Sequence, residues 1–401
     1  MLNRVFRAFQ YRDFRLLWFG ACTSSIGTWM QALAQSWLVL KLSGSPFLLG
    51  LDSFLGQIPI FLFSLIGGVI ADRLDRRFLL IGSQIVQLSC AFLLAGLFYF
   101  NVVQVWHILC LSFVVGVAQA FGGPAYQALV PALVEPKDLA NAIALNSIQF
   151  NLARVIGPML GGITLAQLGP VWCFGLNGVS YIAVIISLLM LNRRPTIVRT
   201  STSMLSSLKE GIRFIQGKDG MKALIMLAFL MTLLGIPLVT FLPVVAQNVF
   251  KGNAEVYTLL LSISGAGAVL GALVVAGWGS ISKKGQVALM TLITLGVLTA
   301  LFGASRNIVL SCILLFLAGA ALIACFAMIS SLVQLITPDE MRGRVMSVYN
   351  VAFRGGMPIG SLIAGTFIPK ITVSWVLALN GIALVFVSVY FLLVQRRVAK
   401  L

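Results

Sequence analysis

The sequence predicts an all-α membrane protein with twelve transmembrane helices in two pseudosymmetric six-helix bundles. Three observations lead to this fold class: the apolar composition, the number of long apolar runs and the placement of the basic residues. Of the 401 residues, 59% are hydrophobic and only 10% are charged, whereas roughly 25% are charged in ordinary soluble domains. This composition excludes a soluble globular protein and a disordered chain.

Twelve apolar runs reach the length of about 20 residues that a helix needs to cross a bilayer. They cover 15–40, 47–71, 78–100, 106–130, 141–166, 170–191, 222–249, 256–280, 287–304, 307–335, 345–369 and 372–394. The runs predict an amphipathic cytoplasmic segment 1–14, a first bundle 15–191, a central cytoplasmic loop 192–221, a second bundle 222–394 and a cytoplasmic tail 395–401. Within the central loop, Leu208, Ile212 and Ile215 have the spacing of an interfacial helix.

The basic residues predict the orientation. With the N-terminus inside, 22 of the 28 Lys and Arg residues lie on the inner side, 4 lie in outer loops, and Arg154 and Arg354 lie within spans. This bias predicts that both termini are cytoplasmic. The net charge of +17 is therefore an orientation signal, and we expect the lipid bilayer, not nucleic acid, as the partner.

The two halves of the chain resemble each other. Gly116 and Gly319 occupy similar places, and Arg154 with Pro158 matches Arg354 with Pro358 at about half the chain length. Six-helix halves repeated in this way are typical of transporters.

Two motifs resemble a known family. The segment Gly68-Val-Ile-Ala-Asp72-Arg73-Leu-Asp75-Arg76-Arg77 is similar to the major facilitator superfamily signature G-x-x-x-D-R-x-G-R-[RK], with Asp75 in place of a glycine. The segment Gly157-Pro158-Met159-Leu160-Gly161-Gly162 resembles the core of the superfamily's antiporter motif. Further segments, Gly123 to Ala125 and Pro338 to Arg344, are similar to the bacterial branch of enterobactin and macrolide exporters.

The resemblance implies a monomeric secondary transporter of the bacterial cytoplasmic membrane that works by alternating access. It implies proton-coupled efflux of amphiphilic small molecules such as drugs, macrolides, siderophores or lysolipids. One departure is that the superfamily's arginine upstream of Gly116 is absent. An uncoupled facilitator or importer and a non-transporting membrane sensor or assembly partner remain as alternatives.

The two motifs supply candidate gating residues. Asp72 can accept hydrogen bonds from a helix N-terminus, and arginines can bridge to acids on neighbouring inner loops. The alternative is that this basic run only anchors the inner side. The glycine-rich motif is interpreted as a flexible packing hinge. The gating candidates are Gly68, Asp72, Arg73, Arg76, Arg77, Gly157, Pro158, Gly161 and Gly162.

Three charged residues lie inside predicted spans. A central arginine costs about 2.5–3.5 kcal/mol on insertion scales, so it usually faces a cavity and a partner. Arg154 and Arg354 either bind an anionic substrate group or donate to carbonyls and polar side chains of their own bundle. Asp52 is the candidate ion-coupling residue, because it is the only acid placed well inside a span; the alternative is an outer-gate hydrogen bond.

Polar side chains in the spans complete the substrate-binding candidates. The first span carries a stripe, Ser24, Thr28, Gln31 and Gln35, on one helical face, which lines a cavity or contacts neighbouring helices. The other candidates are Gln119, Tyr126, Asn146, Gln149 and Asn350, beside Arg154 and Arg354.

Enzymatic chemistry is not predicted. His107 is the single histidine and lies at a predicted membrane boundary, so a Ser/His/Asp arrangement in a pocket is excluded. No metal-ligand spacing and no phosphate-binding loop occurs in the sequence. We therefore expect no catalytic residues, no metal and no cofactor.

Overall fold

The computed structural model describes residues 6–192, 204–277 and 283–399, and no strand occurs within these ranges. A single 3₁₀ turn, Arg7–Gln10, comes first, and two more, Val130–Leu133 and Pro136–Asp138, join the fourth and fifth helices. Six long helices make up the rest of the first range: α1 (Arg12–Ser43), α2 (Pro46–Arg73), α3 (Arg76–Tyr99), α4 (Val105–Leu129), α5 (Leu139–Gln167) and α6 (Pro170–Leu189).

Six further helices follow: α7 (Met204–Gln216), α8 (Asp219–Gly235), α9 (Ala254–Gly277), α10 (Lys284–Ala304), α11 (Ile308–Leu335) and α12 (Asp339–Tyr390). Short turns, Pro237–Thr240, Leu242–Val244 and the π turn Val245–Val249, extend α8, and the π turn Phe391–Gln395 follows α12. Within α12, Thr372 has φ 73° and ψ 155°, so the 52-residue element consists of two helical arms. The sequence predicted a break between spans at this point.

Nine helical segments of the described chain are long and apolar enough to cross a membrane. One of the nine contains both arms of α12. Helices α1 and α5 are equally long but carry more polar side chains, so they fall outside the nine. The all-helical membrane fold is therefore confirmed, and the count of twelve spans stays a prediction.

The chain divides into two compact units. The first comprises Met1–Leu42 and Leu55–Ser201 and the second Ser43–Phe54 and Thr202–Leu401, as far as these ranges are described. The beginning of α2 thus packs with the second unit, where Ser53 donates a hydrogen bond to Ser361 over 3.2 Å. A Cβ on Gly50 would lie 2.6 Å from the Ser361 carbonyl oxygen, so the absence of a side chain at Gly50 permits this contact. The sequence had placed all of α2 in the first bundle.

Each unit contains a close helix–helix approach at a glycine. In the first unit a Cβ on Gly116 of α4 would lie 2.5 Å from the Gly56 carbonyl oxygen of α2. In the second unit a Cβ on Gly319 of α11 would overlap the Ser264 carbonyl oxygen of α9. Small residues allow backbones to meet in this way in membrane proteins, so the internal repeat extends from the sequence to the packing.

Candidate functional site

A hydrogen-bonded polar network lies inside the first unit, with Gln87 of α3 near its centre. The Gln87 side chain is only 5% exposed. Its Nε2 donates to Ser83 Oγ over 3.2 Å, while its Oε1 accepts from the Tyr181 hydroxyl at 3.3 Å and from Gln119 Nε2 at 3.4 Å. The network therefore connects α3 with α4 and α6.

The predicted polar stripe of α1 joins this network. Asn177 Nδ2 donates to Gln31 Oε1 over 2.7 Å, and the hydroxyls of Thr28 and Tyr181 lie 3.2 Å apart. Gln35 donates to Ser112 of α4 over 2.9 Å. These bonds correspond to the helix-contact interpretation of the stripe. Thr28, Gln31 and Gln35 are nevertheless only half-buried, so their polar atoms retain accessible surface; Ser24 is buried.

Three members of the network, Gln87, Asn177 and Tyr181, were not singled out from the sequence. Each stands in a largely apolar helix with a short polar pattern around it: Ser83 and Gln84 precede Gln87, and Ser180 lies between Asn177 and Tyr181. The signal that could have found them is energetic, because an amide or phenol side chain in hydrocarbon must find a partner. A Gln, Asn or Tyr in a span is therefore informative even where the polar pattern around it is short.

The polar residues of α5 have a different role, since they join α5 to its neighbours. Gln149 is 3% exposed and donates to the Ala21 carbonyl over 3.1 Å and to Ser25 Oγ over 2.7 Å. The Tyr126 hydroxyl donates to Asn146 Oδ1 over 2.5 Å. Of the predicted substrate-binding set, Gln149 is thus engaged between α5 and α1.

The glycine-rich motif lies at the same α1–α5 contact. A Cβ on Gly157 would lie 2.8 Å from the Ile26 carbonyl oxygen, and one on Gly161 would lie 2.9 Å from that of Met30. Helix α5 continues through Pro158, and Pro158 and Gly162 are buried. The structure therefore places the motif in close packing, and its part in gating stays a prediction.

Arg154 lies on α5 next to this contact. Its Cζ is 5.8 Å from the ring centroid of Trp29 on α1. In the described ranges the guanidinium has no hydrogen-bond or ion-pair partner, and the same is true of Arg354 on α12. Both side chains are half-buried, and Asn350, one turn before Arg354, is exposed. A guanidinium has five N–H donors, so each arginine presents donors that no protein acceptor uses.

Asp52 lies in the α2 segment that belongs to the second unit. Its side chain is 7% exposed, and the adjacent Ser53 makes the hydrogen bond to Ser361 described above. The predicted ion-coupling residue is thus buried at the start of α2, close to a contact with α12.

The signature loop between α2 and α3 binds helix C-termini. Asp75 caps α3, because its Oδ1 accepts from the Arg77 amide at 2.9 Å. Arg77 donates to the carbonyls of Leu189 and Leu191, over 2.6 and 3.1 Å, at the end of α6. Arg76 donates to the Ala128 carbonyl, over 3.2 Å, at the end of α4.

Helix C-termini attract cations, and the contacts of Arg77 with the carbonyls at the end of α6 are of this kind. The sequence had predicted contacts with acids on neighbouring loops.

Gly68 lies within α2. The side chains of Asp72 and Arg73 lie outside the described part of the structure, so the predicted role of that pair stays a prediction.

The second unit contains a cavity that the sequence did not indicate. It has a volume of about 370 Å³ and is lined by Phe326 and the polar side chains of Ser330, Ser331, Gln334 and Arg342. Arg342 forms an ion pair with Asp339 over 2.5 Å, and both side chains are largely exposed. The cavity lies where the end of α11 meets the start of α12.

Long apolar helices in two units, with a hydrogen-bonded polar network inside the first, are typical of a polytopic membrane transporter. Solved structures of two such transporters share the fold. The nucleoside transporter NupG matches with a TM-score of 0.75 and 14% identity over 95% of this chain and 98% of its own. A D-xylose-proton symporter matches with a TM-score of 0.74 and 14% identity over 95% and 97%.

Residues 4–400 match the family described as transmembrane secretion effector, and the chain belongs to this family of the major facilitator superfamily. It is a transporter and not an enzyme. It is 25% identical to a staphyloferrin A transporter of Staphylococcus aureus (strain NCTC 8325 / PS 47), over 93% of this chain and 94% of the relative.

Two more relatives are of similar length. The chain is 27% identical to an enterobactin exporter of Shigella boydii serotype 4 (strain Sb227), over 95% of this chain and 91% of the relative. It is 21% identical to macrolide efflux protein A of Streptococcus pyogenes, over 94% of each.

Proposed function

We propose that this transporter exports amphiphilic small molecules that carry an anionic group, and that Arg154 binds that group. The observation that supports this is the guanidinium of Arg154, which lies against Trp29 in the membrane and lacks a protein acceptor among the described residues. The cost of a buried cation is offset when an anion binds. The aromatic ring beside it adds an apolar surface for the rest of the solute.

Among the solutes that the resemblance implies, this arrangement favours siderophores over macrolides. Siderophores of the catecholate and carboxylate types carry acidic groups, whereas many macrolides carry a basic amine. Arg354 in the second unit also has a guanidinium without an acceptor among the described residues, so it is a separate candidate for binding an anionic group. The similarity to an enterobactin exporter and to a macrolide efflux protein supports export as the direction of transport. We propose that export proceeds by alternating access.

The test is binding to purified protein by isothermal titration calorimetry, with enterobactin and staphyloferrin A as acidic probes and a macrolide as the basic probe. We expect Arg154→Gln to weaken the binding of the acidic probes by about tenfold to a hundredfold, since a hydrogen bond to a charged group contributes about 1.5–3 kcal/mol. Arg154→Lys keeps the positive charge and should lose less affinity for the acidic probes.

Lys137→Gln is the matched control, because it removes one cation from the exposed inner loop. Unchanged affinity for every acidic probe in a folded Arg154→Gln protein would overturn the assignment of Arg154. Failure of wild-type protein to bind or move any probe in proteoliposomes would overturn the transport of this solute class and favour a sensor or assembly role.

We further propose that Asp52 carries the coupling proton. It is the only acid well inside a predicted span, and its side chain is 7% exposed. In proteoliposomes that contain the wild-type protein, a pH gradient should drive solute accumulation, and Asp52→Asn should abolish this while leaving downhill exchange. Glu255→Gln, at an exposed position in the first turn of α9, is the control. If the pH gradient has no effect on transport by either the wild-type or the Asp52→Asn protein, the result would favour the uncoupled facilitator.

A further inference from the structure

The carboxylate of Asp138, immediately before α5, is held by the segment that precedes α1. Its side chain is 1% exposed. Gln10 Nε2 and the Tyr11 hydroxyl donate to Oδ2 over 2.9 and 2.8 Å, and Arg7 Nε lies 3.2 Å from Oδ1. A carboxylate removed from water to this extent requires hydrogen bonds and a counter-charge, and all three donors come from residues 7–11.

Other contacts hold the same segment in place. The Ala8 amide donates to Asn141 Oδ1 over 2.8 Å. Ala8 and Phe14 are fully buried in an apolar cluster that also contains Leu129, the last residue of α4, and Leu133 of the turn that follows it. Burial and the hydrogen bond to Asp138 raise the pKa of the Tyr11 phenol, so its hydroxyl remains a donor across the physiological pH range.

The contact continues along α1 and α5. Trp18 Nε1 donates to the Leu145 carbonyl over 2.9 Å, and the bonds of Gln149 to α1 follow one turn later. Beyond them lies the approach of Arg154 to Trp29. Asp138 therefore stands at the beginning of a series of contacts that ends at the proposed anion-binding arginine.

We propose that Asp138 is a positioning residue, an electrostatic clasp that joins residues 7–11 to the start of α5 so that α1 and α5 move as one piece during the transport cycle. The clasp sets the rate of the conformational step, while Arg154 sets affinity. The part of this proposal that concerns turnover rests on the proposed function; the part that concerns the attachment of residues 7–11 does not.

The second unit has an amphipathic helix at the matching place in its sequence, but its contact is weaker. On α7, Glu210 pairs with Arg344 at the start of α12 over 2.5 Å, with side chains 47% and 35% exposed. In the internal repeat, Pro338-Asp339-Glu340-Met341 lines up with Pro136-Lys137-Asp138-Leu139. Glu340, at the place of Asp138, is exposed. Exposed ion pairs contribute little to stability. Glu210→Gln, which removes such a pair, is therefore the variant with which Asp138→Asn is compared.

The first arm of the test is hydrogen–deuterium exchange of the purified full chain, read by mass spectrometry. Asp138→Asn removes the charge and keeps the size, and we expect exchange in peptides over residues 6–12 to rise by about tenfold, as local opening would give. Asp138→Glu should restore at least part of the protection. The control is Glu135→Gln, a neighbouring exposed acid paired with Lys137 over 2.6 Å, which should exchange like wild type.

The second arm is transport of an acidic probe, enterobactin, in proteoliposomes. We expect Asp138→Asn to lower the maximal rate by about fivefold while KM stays within about twofold, because conformational steps limit many turnover rates. Tyr11→Phe should have a smaller effect of the same kind, and the double variant should be no slower than Asp138→Asn alone.

Three results would overturn the clasp. The first is unchanged exchange over residues 6–12 in Asp138→Asn. The second is exchange that rises equally throughout the chain, which would show a general loss of stability. The third is a raised KM with an unchanged maximal rate. If wild-type protein moves no probe, the proposed function fails, and the exchange arm still decides whether Asp138 holds the segment.

Discussion

In the first unit, Gln87, Asn177 and Tyr181 bond to each other and to side chains of α1 and α4. In the second unit, the buried hydroxyls of Ser264 and Thr299 have no hydrogen-bond partner among the residues described. Both units share a glycine approach of the same kind, at Gly116 and at Gly319. The repeat has therefore kept its packing and has diverged in its polar interior.

The difference indicates a division of roles. A connected network holds amides and hydroxyls in fixed directions, and such groups can exchange a protein partner for a solute. Isolated hydroxyls in an apolar interior specify little. We therefore expect solute recognition to depend more on the polar residues of the first unit, and the following substitutions test both the shared packing and the divergent interior.

The largest effect is expected at the shared glycines. Gly116→Leu and Gly319→Leu should each cost about 3 kcal/mol or more of unfolding free energy, because overpacking at a backbone contact forces the helices apart. The measurement is denaturation by sodium dodecyl sulfate in mixed micelles. Gly82→Leu and Gly343→Leu are controls, since a Cβ at either position meets no atom within 4 Å. If only one of the two variants Gly116→Leu and Gly319→Leu lost much unfolding free energy, the two glycine contacts would not be equivalent.

The next effect belongs to the centre of the network. Gln87→Leu leaves Gln119 and Tyr181 without their shared acceptor, and we expect a loss of about 2 kcal/mol in the same denaturation experiment. Gln84→Leu is a matched control on the same helix, because Gln84 Oε1 is buried and has no partner in the described structure. Equal losses for the two glutamines would mean that the network contributes nothing specific.

A smaller effect is expected for the phenol of the network. Tyr181→Phe removes a hydroxyl that lies 3.2 Å from that of Thr28 and 3.3 Å from Gln87 Oε1. Interhelical hydrogen bonds in membranes average about 0.6 kcal/mol, so the loss should be about 1 kcal/mol. Tyr99→Phe, at a side chain that is 69% exposed, should change nothing. A Tyr181→Phe protein as stable as wild type would reduce the network to a set of independent contacts.

Much of the fold follows from hydropathy alone. The apolar runs predicted the helices, and the residues between 369 and 372 marked the break at Thr372. The interfacial spacing of Leu208, Ile212 and Ile215 matches the position of α7. These predictions succeed because a backbone in a bilayer must satisfy its hydrogen bonds internally, and an apolar run of about 20 residues does so as a helix.

The site was less predictable, because partners on different helices cannot be deduced from spacing. The stripe of α1 was found by its period, but its partners Asn177 and Ser112 lie on α6 and α4. Likewise, the arginines of the signature loop were expected to meet acids, and Arg77 meets carbonyls at the end of α6 instead. Side-chain reach and helix order decide such contacts, and both come only from the folded chain.

The smallest effect is expected at the isolated hydroxyls, and it distinguishes the two interiors most directly. Thr299 is 0% exposed and its hydroxyl lacks a partner in the described chain, so the folded state already bears the cost of burying it. Thr299→Val replaces the hydroxyl with a methyl group of similar size, and we expect a change between zero and a gain of about 1 kcal/mol. Ser264→Ala should behave in the same way. A clear loss of stability in both proteins would show that these hydroxyls are bonded in the membrane, and the contrast between the two units would then not hold.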